Sequence, residues 1–219
     1  MKKTFGSLLV AALLGCVTAA QAAPTSLTDV SDDWFSSNGS GGYNLSGNPS
    51  DGYLRTFGFA GAFTRSALEF SMAGLNPGDT INSATFKVVS SGTAIAGGHF
   101  QFWGYAGDGL VDTADATRTT TLLGTLDTQD GTPTYLVDVT AFIQSMLNGG
   151  ASYAGILITV QEEGQPGTFL GNDLNSREFG SDEPVILVDA TAGNTVPEPA
   201  SLALVGLALT AAGLRRRRA

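Results

Sequence analysis

Apolar and polar residues alternate along much of the middle of the chain, which is the pattern of half-buried β-strands. In residues 67–72, for example, Leu68, Phe70 and Met72 fall on one face. Two further segments, 153–160 and 184–188, are apolar enough to be buried strands. The strands predicted in this way are residues 67–72, 81–90, 99–105, 120–126, 134–140, 153–160 and 184–188.

The apolar spacing becomes helical after residue 138. Thr140 is expected to cap this helix, and Gly149 with Gly150 to end it. Many short strands, one short helix and glycine-rich turns predict an all-β fold, a jelly-roll-like β-sandwich that occupies residues 23–194. The residues at helical intervals are Val139, Phe142, Ile143, Met146 and Leu147.

Residues 31–61 are rich in serine, glycine and asparagine, so they cannot form a long helix. Aromatic residues are spaced through this segment and indicate that it docks onto the core. They are Trp34, Phe35, Tyr43, Tyr53 and Phe57.

Residues 1–22 have the composition of a signal peptide that directs Sec translocation and is removed by signal peptidase. An alternative rests on the resemblance of residues 13–16 to a bacterial lipobox, in which case Cys16 would carry a lipid anchor. The signal-peptide elements are the cations Lys2 and Lys3, an apolar stretch, and the small residues Ala20, Ala22 and Ala23 around the cleavage point.

The C-terminal residues combine a short polar motif, an uncharged stretch at 200–214 and a basic end. As a helix, this stretch would be about 22 Å long, which is short for a hydrocarbon core of roughly 30 Å. The basic end would remain in the cytoplasm by the positive-inside preference. A permanent tail anchor is the alternative to a transient one. The motif is Val196, Pro197, Glu198 and Pro199, and the basic end is Arg215, Arg216, Arg217 and Arg218.

This order of elements resembles the PEP-CTERM sorting signal of bacterial exported proteins. The resemblance implies recognition by an exosortase, a membrane protease or transpeptidase that removes the tail. It also implies export across the inner membrane, transient anchoring by residues 200–214, and a final location at the cell surface or outside the cell. The family is associated with extracellular polysaccharide matrices.

Between the two terminal signals the chain is strongly acidic. Residues 23–195 carry five cationic and 19 acidic side chains, a net charge of −14, whereas the whole chain carries −9. Because phosphate binding needs clustered lysine and arginine, nucleic acid is excluded as a partner. Neutral glycans and metal cations remain compatible with this charge.

A loop rich in aspartate and glycine is the best candidate for a metal site. Asp108, Asp112 and Asp115 could supply oxygen ligands to calcium, although their spacing is not that of an EF-hand. The alternative is a plain loop in which these side chains cap turns.

The strand at 99–105 places aromatic and polar side chains on one face. Trp103 and Tyr105 lie there with His99 and Gln101, the combination that sugar-binding platforms use. The alternative is that these rings pack in the protein interior. His99 is the only histidine, and no serine or cysteine signature accompanies it, so a catalytic triad is not predicted.

Adjacent acids could in principle support hydrolysis of glycans, which requires two carboxyl groups across a cleft. The pairs are Glu162 with Glu163 and Asp182 with Glu183, and each would point to opposite faces of a strand or into solvent in a turn. We therefore expect a non-catalytic protein, with a surface glycan hydrolase as the alternative.

The order of motifs across residues 52–190 resembles the DNRLRE-type domain, a β-sandwich similar to carbohydrate-binding modules. This chain departs from that pattern at Met146, where tryptophan is frequent, and at Glu69, where lysine is common. The segments that carry the resemblance are residues 65–70, 81–86, 137–140 and 175–178. The two terminal signals, the sandwich pattern and the missing catalytic set together predict an exported surface or matrix protein that binds polysaccharide or has a structural role.

Overall fold

The structure is a computed structural model, and it describes residues 24–38, 40–46, 52–59, 61–165 and 169–193. These residues form eleven β-strands and one α-helix, which confirms the all-β class. No helix in this part of the chain has the length and apolar character needed to cross a membrane. The elements are β1 (Thr25–Ser37), β2 (Tyr43–Leu45), β3 (Tyr53–Phe59), β4 (Ala62–Ser71), β5 (Thr80–Ile95), β6 (His99–Gly107), β7 (Thr121–Asp127), β8 (Thr134–Asp138), α1 (Thr140–Asn148), β9 (Tyr153–Val160), β10 (Phe169–Asn175) and β11 (Val185–Thr191).

Every strand predicted from alternation is present, and β9 has the predicted bounds. The prediction that Thr140 caps α1 was wrong, because the N-cap position is Val139 and its side chain makes no capping bond. The Thr140 hydroxyl instead accepts the amide of Ala84 (2.9 Å), and its own amide donates to Asp138 Oδ1 (2.9 Å). The helix start is therefore tied to β5.

Two long strands pass from one antiparallel sheet into the other. Residues 25–28 of β1 pair with β11, and residues 29–36 pair with β4. In the same way β5 pairs first with β11 and β8, and then with β10. The first sheet has the order β8-β5-β11-β1, and the second contains β7-β6-β9-β4 with β1 and β3 beside β4.

The inner faces of the two sheets pack against each other in a sandwich-like arrangement. Phe86 of the first sheet contacts Phe70 and Phe102 of the second, with ring centroids 5.8 and 6.0 Å apart. All three rings are completely buried. Burial of each such side chain stabilises the fold by about 1.5–3 kcal/mol, so this contact joins the sheets.

The last described residues are attached to the turn that precedes β5. The Gly193 amide donates to Asp79 Oδ1 (3.0 Å), and the Asn76 amide donates to Asp79 Oδ2 (2.8 Å). These two hydrogen bonds hold the pKa of Asp79 below its usual value. The end of β11 is thus fastened to the body of the domain two residues before position 195.

Candidate functional site

The second sheet is covered on its outer face by residues 108–118, which we call the strap. An apolar cluster lies between the strap and the sheet, and it makes β4 and β9 buried on both faces. This second layer explains why β9 is continuously apolar. The cluster consists of Phe35, Ala67, Tyr105, Val111, Ala116 and Leu157.

Glu69 on β4 fastens the start of the strap. Its side chain is fully buried, and Oε2 accepts the backbone amides of Asp108 (3.0 Å) and Gly109. Burial raises the pKa of Glu69, although these hydrogen bonds oppose the shift. The carboxyl lies over Gly107, where a Cβ would come within 2.5 Å of its carbon atom. The strap start therefore needs both an acid at 69 and a glycine at 107.

Arg65 fastens the other end of the strap. Its guanidinium donates to the carbonyl of Ala116 and forms a bidentate ion pair with Glu163, at 3.0 Å from Nε to Oε1 and 2.6 Å from Nη2 to Oε2. It also lies 5.1 Å from the ring centroids of Tyr43 and Phe63. All of this places Arg65 in a structural role.

The three acids considered for calcium bind groups within the strap. Asp108 Oδ1 accepts the amide of Leu110 (3.1 Å), and Asp112 Oδ1 accepts that of Ala114 (2.7 Å). Asp115 is buried, accepts the Asp112 amide (2.8 Å) and pairs with Arg118 (2.9 Å). In the part of the chain that the structure describes, no three acidic, histidine or cysteine side chains are arranged to hold a metal ion.

Tyr105 and Trp103 lie on the same face of β6, as predicted, but their surroundings differ. Tyr105 is only 2% exposed, and its ring lies over Gly155 of β9, where a Cβ would overlap it. Burial, followed by the charge of Asp115, raises the pKa of its hydroxyl. In this arrangement the Tyr105 ring is not accessible to a sugar.

Trp103 is half-buried at the border of the strap. Its Nε1 donates to Thr159 Oγ1 (3.1 Å), which fixes the plane of the ring. Opposite it on β7 is Leu122, which is 49% exposed, and the next pair along the same face is Gln101 with Thr125. We call Trp103, Leu122, Gln101, Thr125 and His99 the open face.

His99 closes the open face at its far end. Nδ1 contacts Glu162 Oε1, and Nε2 lies 3.5 Å from Asp127 Oδ1. The hydrogen bond to Glu162, then its charge, raises the pKa of His99, and the same contact lowers that of Glu162 against the opposing effect of burial. This end of the face is therefore bordered by two acids and one histidine.

The acid pairs that suggested hydrolysis bind other partners. Glu162 contacts His99 on β6, and Glu163 contacts Arg65 on β4, so the two carboxyl groups bind side chains of different strands. Asp182 pairs with Lys87 (3.0 Å), and Glu183 is exposed.

A different pair of acids, Asp29 and Asp32 on β1, is buried and was not predicted from the sequence. A β-bulge after Asp29 places Asp29 opposite Phe70 and Asp32 opposite Leu68, so both carboxyl groups point inward. Burial and the neighbouring Asp32 raise the pKa of Asp29 to about 9. Burial also raises the pKa of Asp32.

A short turn, Arg177–Phe179, covers this pair. The Arg177 amide donates to Asp32 Oδ2 (2.8 Å), and its guanidinium binds the Val30 carbonyl and Glu178 Oε1 (2.8 Å). Asp29 Oδ2 and Asp32 Oδ1 are buried and have no hydrogen-bond partner among the described residues. The alternation pattern could not reveal this pair, because polar residues at inward positions do not look like a strand.

The described residues thus define an all-β domain with one strapped face and one open face. A comparison with protein families indicates how the chain is sorted. The model of the PEP-CTERM protein-sorting motif matches residues 195–218. This match confirms the predicted sorting signal and indicates an exosortase substrate that is sorted to the cell surface or the extracellular space. No curated protein matches the chain.

Several predicted residues lie outside the described part of the chain. They are Cys16, Ala20, Ala22, Ala23, the stretch 200–214 and the arginines Arg215 to Arg218, together with the motif residues Val196 to Pro199.

Proposed function

We propose that the domain between the two terminal signals binds a neutral polysaccharide of an extracellular matrix at its open face, without catalysing a reaction. The observation that carries this proposal is Trp103. Its ring is fixed by Thr159 and remains partly exposed beside Gln101 and Thr125. An aromatic ring with polar neighbours can pack against the C–H groups of a sugar while its hydroxyl groups form hydrogen bonds. The resemblance to DNRLRE-type, jelly-roll-like sandwiches supports the same function.

The charge of the protein favours a neutral ligand. The chain between its terminal signals carries −14, and Asp127 and Glu162 border the open face beside His99. An anionic polysaccharide would meet like charge on approach, whereas a neutral one would not.

The test is affinity electrophoresis of the full chain in detergent through gels that contain neutral glucan, mannan or galactan, or acidic alginate. We expect retardation by at least one neutral polymer, and loss of it in Trp103→Ala. The matched control is Leu187→Ala, which changes an exposed residue on the first sheet. No retardation by any neutral polymer, or equal retardation of Trp103→Ala, would contradict binding at this face and leave a structural role.

The absence of catalysis is a separate part of the proposal. It is supported by the positions of the acids, since Glu162 and Glu163 bind His99 and Arg65, and Asp182 pairs with Lys87. We expect no new reducing ends when the protein is incubated with the polymer it retains. Release of reducing ends that persists through further purification would favour the glycan hydrolase.

The proposal also includes the processing of the two ends of the chain during export. Sec export, cleavage before Ala23 and a transient anchor at residues 200–214 fit the composition of the ends and the matched sorting motif. Mass spectrometry of the protein from its native surface should find Ala23 at the N-terminus and no intact basic tail. A lipid on Cys16 would show the alternative anchor, and a retained tail would show a permanent one.

A further inference from the structure

A cavity lies beside Arg65, the residue that fastens the far end of the strap. It has a volume of about 260 Å³ and is formed by the end of β1, the glycine loop before β2 and the start of β4. Drug-sized ligands occupy pockets of roughly 300–1,000 Å³, so this cavity suits a smaller group. The lining residues are Ser37, Gly41, Gly42, Tyr43, Gly61 and Phe63.

Two aromatic rings form walls of this cavity. The centroids of Tyr43 and Phe63 are 5.9 Å apart, with planes at 63°. The Arg65 guanidinium contacts both rings at 5.1 Å. Because Arg65 is itself held by Glu163 and the carbonyl of Ala116, the ring positions are set before any ligand arrives.

Polar groups accompany these rings. The Ser37 hydroxyl accepts the amide of Phe63 (3.1 Å), and among the described residues no acceptor takes its own proton, which can bind a ligand. Burial raises the pKa of the Tyr43 hydroxyl, which therefore stays protonated and can donate. Gly41 and Gly61 have no atom within 4 Å of where a Cβ would lie, so their backbone leaves room in the cavity.

The charges decide the class of ligand. Among the residues that the structure describes, none of those that line the cavity is an acid, a lysine, an arginine or a histidine. The nearby Arg65 is neutralised by its bidentate pair with Glu163. A site without an available charge has no advantage for an ion, and the net charge of the chain disfavours anions.

We propose that this cavity binds one neutral sugar ring, as an end unit or branch of the polysaccharide. The C–H face of the ring packs on Phe63 and Tyr43, and its hydroxyl groups bind the Ser37 and Tyr43 hydroxyls. This inference rests on the proposed function for the class of ligand, but it assigns a separate subsite that Trp103 does not touch.

The test is saturation-transfer NMR on the full chain in detergent, with glucose, galactose, mannose and N-acetylglucosamine, and with glucuronate and glucosamine as charged probes. We expect a neutral sugar to receive saturation at its ring C–H protons, and the charged probes to receive less. Phe63→Ala should weaken binding roughly tenfold, the equivalent of one aromatic contact. Phe169→Ala is the matched control, because that phenylalanine is 51% exposed elsewhere on the domain.

Tyr43→Phe is a second test variant, for use if Phe63→Ala fails to fold. It removes only the hydroxyl group, so it should weaken sugar binding and leave the thermal midpoint unchanged. Binding by no monosaccharide of the panel, preference for a charged probe, or equal binding by the folded variants would overturn the inference. Polysaccharide retention that depends on Trp103 alone would leave the proposed function intact and remove this subsite. Monosaccharide binding that depends on Phe63, without polysaccharide retention, would support this subsite and contradict polysaccharide binding at the open face.

Discussion

The two halves of the outer face of β6 carry the same kind of side chain in opposite surroundings. Tyr105 is 2% exposed beneath the strap, whereas Trp103 and Gln101 lie where the strap ends and remain partly exposed. Both halves follow one alternating pattern, and the strap comes from the connection that follows the strand. The difference shows that alternation assigns a residue to a face, while the cover over that face decides whether the residue can bind a ligand.

The largest expected difference between the halves is in stability. Tyr105→Ala should lower the free energy of unfolding by about 4 kcal/mol, because it leaves a cavity beneath the strap. Trp103→Ala should lower it by only about 1 kcal/mol, since part of that ring is already in contact with solvent. Urea unfolding of both variants measures the contrast, and equal losses would mean that the strap does not bury Tyr105 in solution.

The strap itself can be loosened at Glu69. Glu69→Ala should cost about 2 kcal/mol, because the amides of Asp108 and Gly109 lose their acceptor. Hydrogen exchange at these two amides should become faster, while exchange on the open face stays unchanged. Glu183→Ala, an exposed acid, is the control. Unchanged exchange in Glu69→Ala would show that the strap is held by its apolar residues alone.

Covered and open acids should also respond differently to pH. The pKa of Asp29 is raised to about 9 in the folded protein, so the folded state holds a proton that the unfolded state has lost above pH about 4. Unfolding therefore releases a proton, and stability falls as the pH rises toward 9, by about 1.4 kcal/mol per pH unit. Asp29→Asn should flatten this decline.

Glu162, which borders the open face, provides the contrast. Its pKa is lowered, so its contribution is present above the ordinary pKa of glutamate and is lost as the pH falls. Glu162→Gln should change the acid side of the profile and leave the alkaline side as it was. Thermal unfolding across the pH range measures both, and an unchanged alkaline decline in Asp29→Asn would contradict the assignment of the proton to the inner pair.

The smallest expected effect comes from removing divalent metal. The carboxylates of Asp108, Asp112 and Asp115 accept amides of the strap or pair with Arg118, so the strap can close without a metal. We expect the same thermal midpoint with EDTA and with calcium. Asp112→Ala, which removes one strap hydrogen bond, should cost about 1 kcal/mol in either condition. A clear rise in the thermal midpoint with calcium would contradict this expectation and support a calcium site in the strap.

The sequence predicted elements wherever one face is apolar and the other polar. It did not predict β1, β2 and β3, which lie largely in the serine- and glycine-rich segment, or β10, in which the polar residues Asn172 and Asn175 are buried. Asn172 donates to the Tyr135 hydroxyl (2.6 Å), and Asn175 donates to the carbonyl of Ser181 (3.3 Å). A polar residue that finds its partner through tertiary contacts carries no local signal of being inside.

The site was partly predictable for a similar reason. The shared face of Trp103 and Tyr105 followed from their spacing, but the cover over Tyr105 depends on Gly155, which leaves room for its ring from another strand. The acid pair at β1 depends on a bulge, which places Asp29 and Asp32 on the same inward face although they are three residues apart. Neither a distant glycine nor a bulge alters the local alternation, so both become visible only once the strands are paired.

The hydrogen bond from Gly193 to Asp79 has a mechanical consequence for a protein handled by its tail. Force applied at the tail reaches the domain through β11, which lies between β1 and β5 rather than at an edge. In antiparallel ladders the hydrogen bonds run across the strands, so a pull along β11 loads many of them together instead of opening them one at a time. The strand nearest the sorting signal is thus the one best placed to resist extraction from the fold.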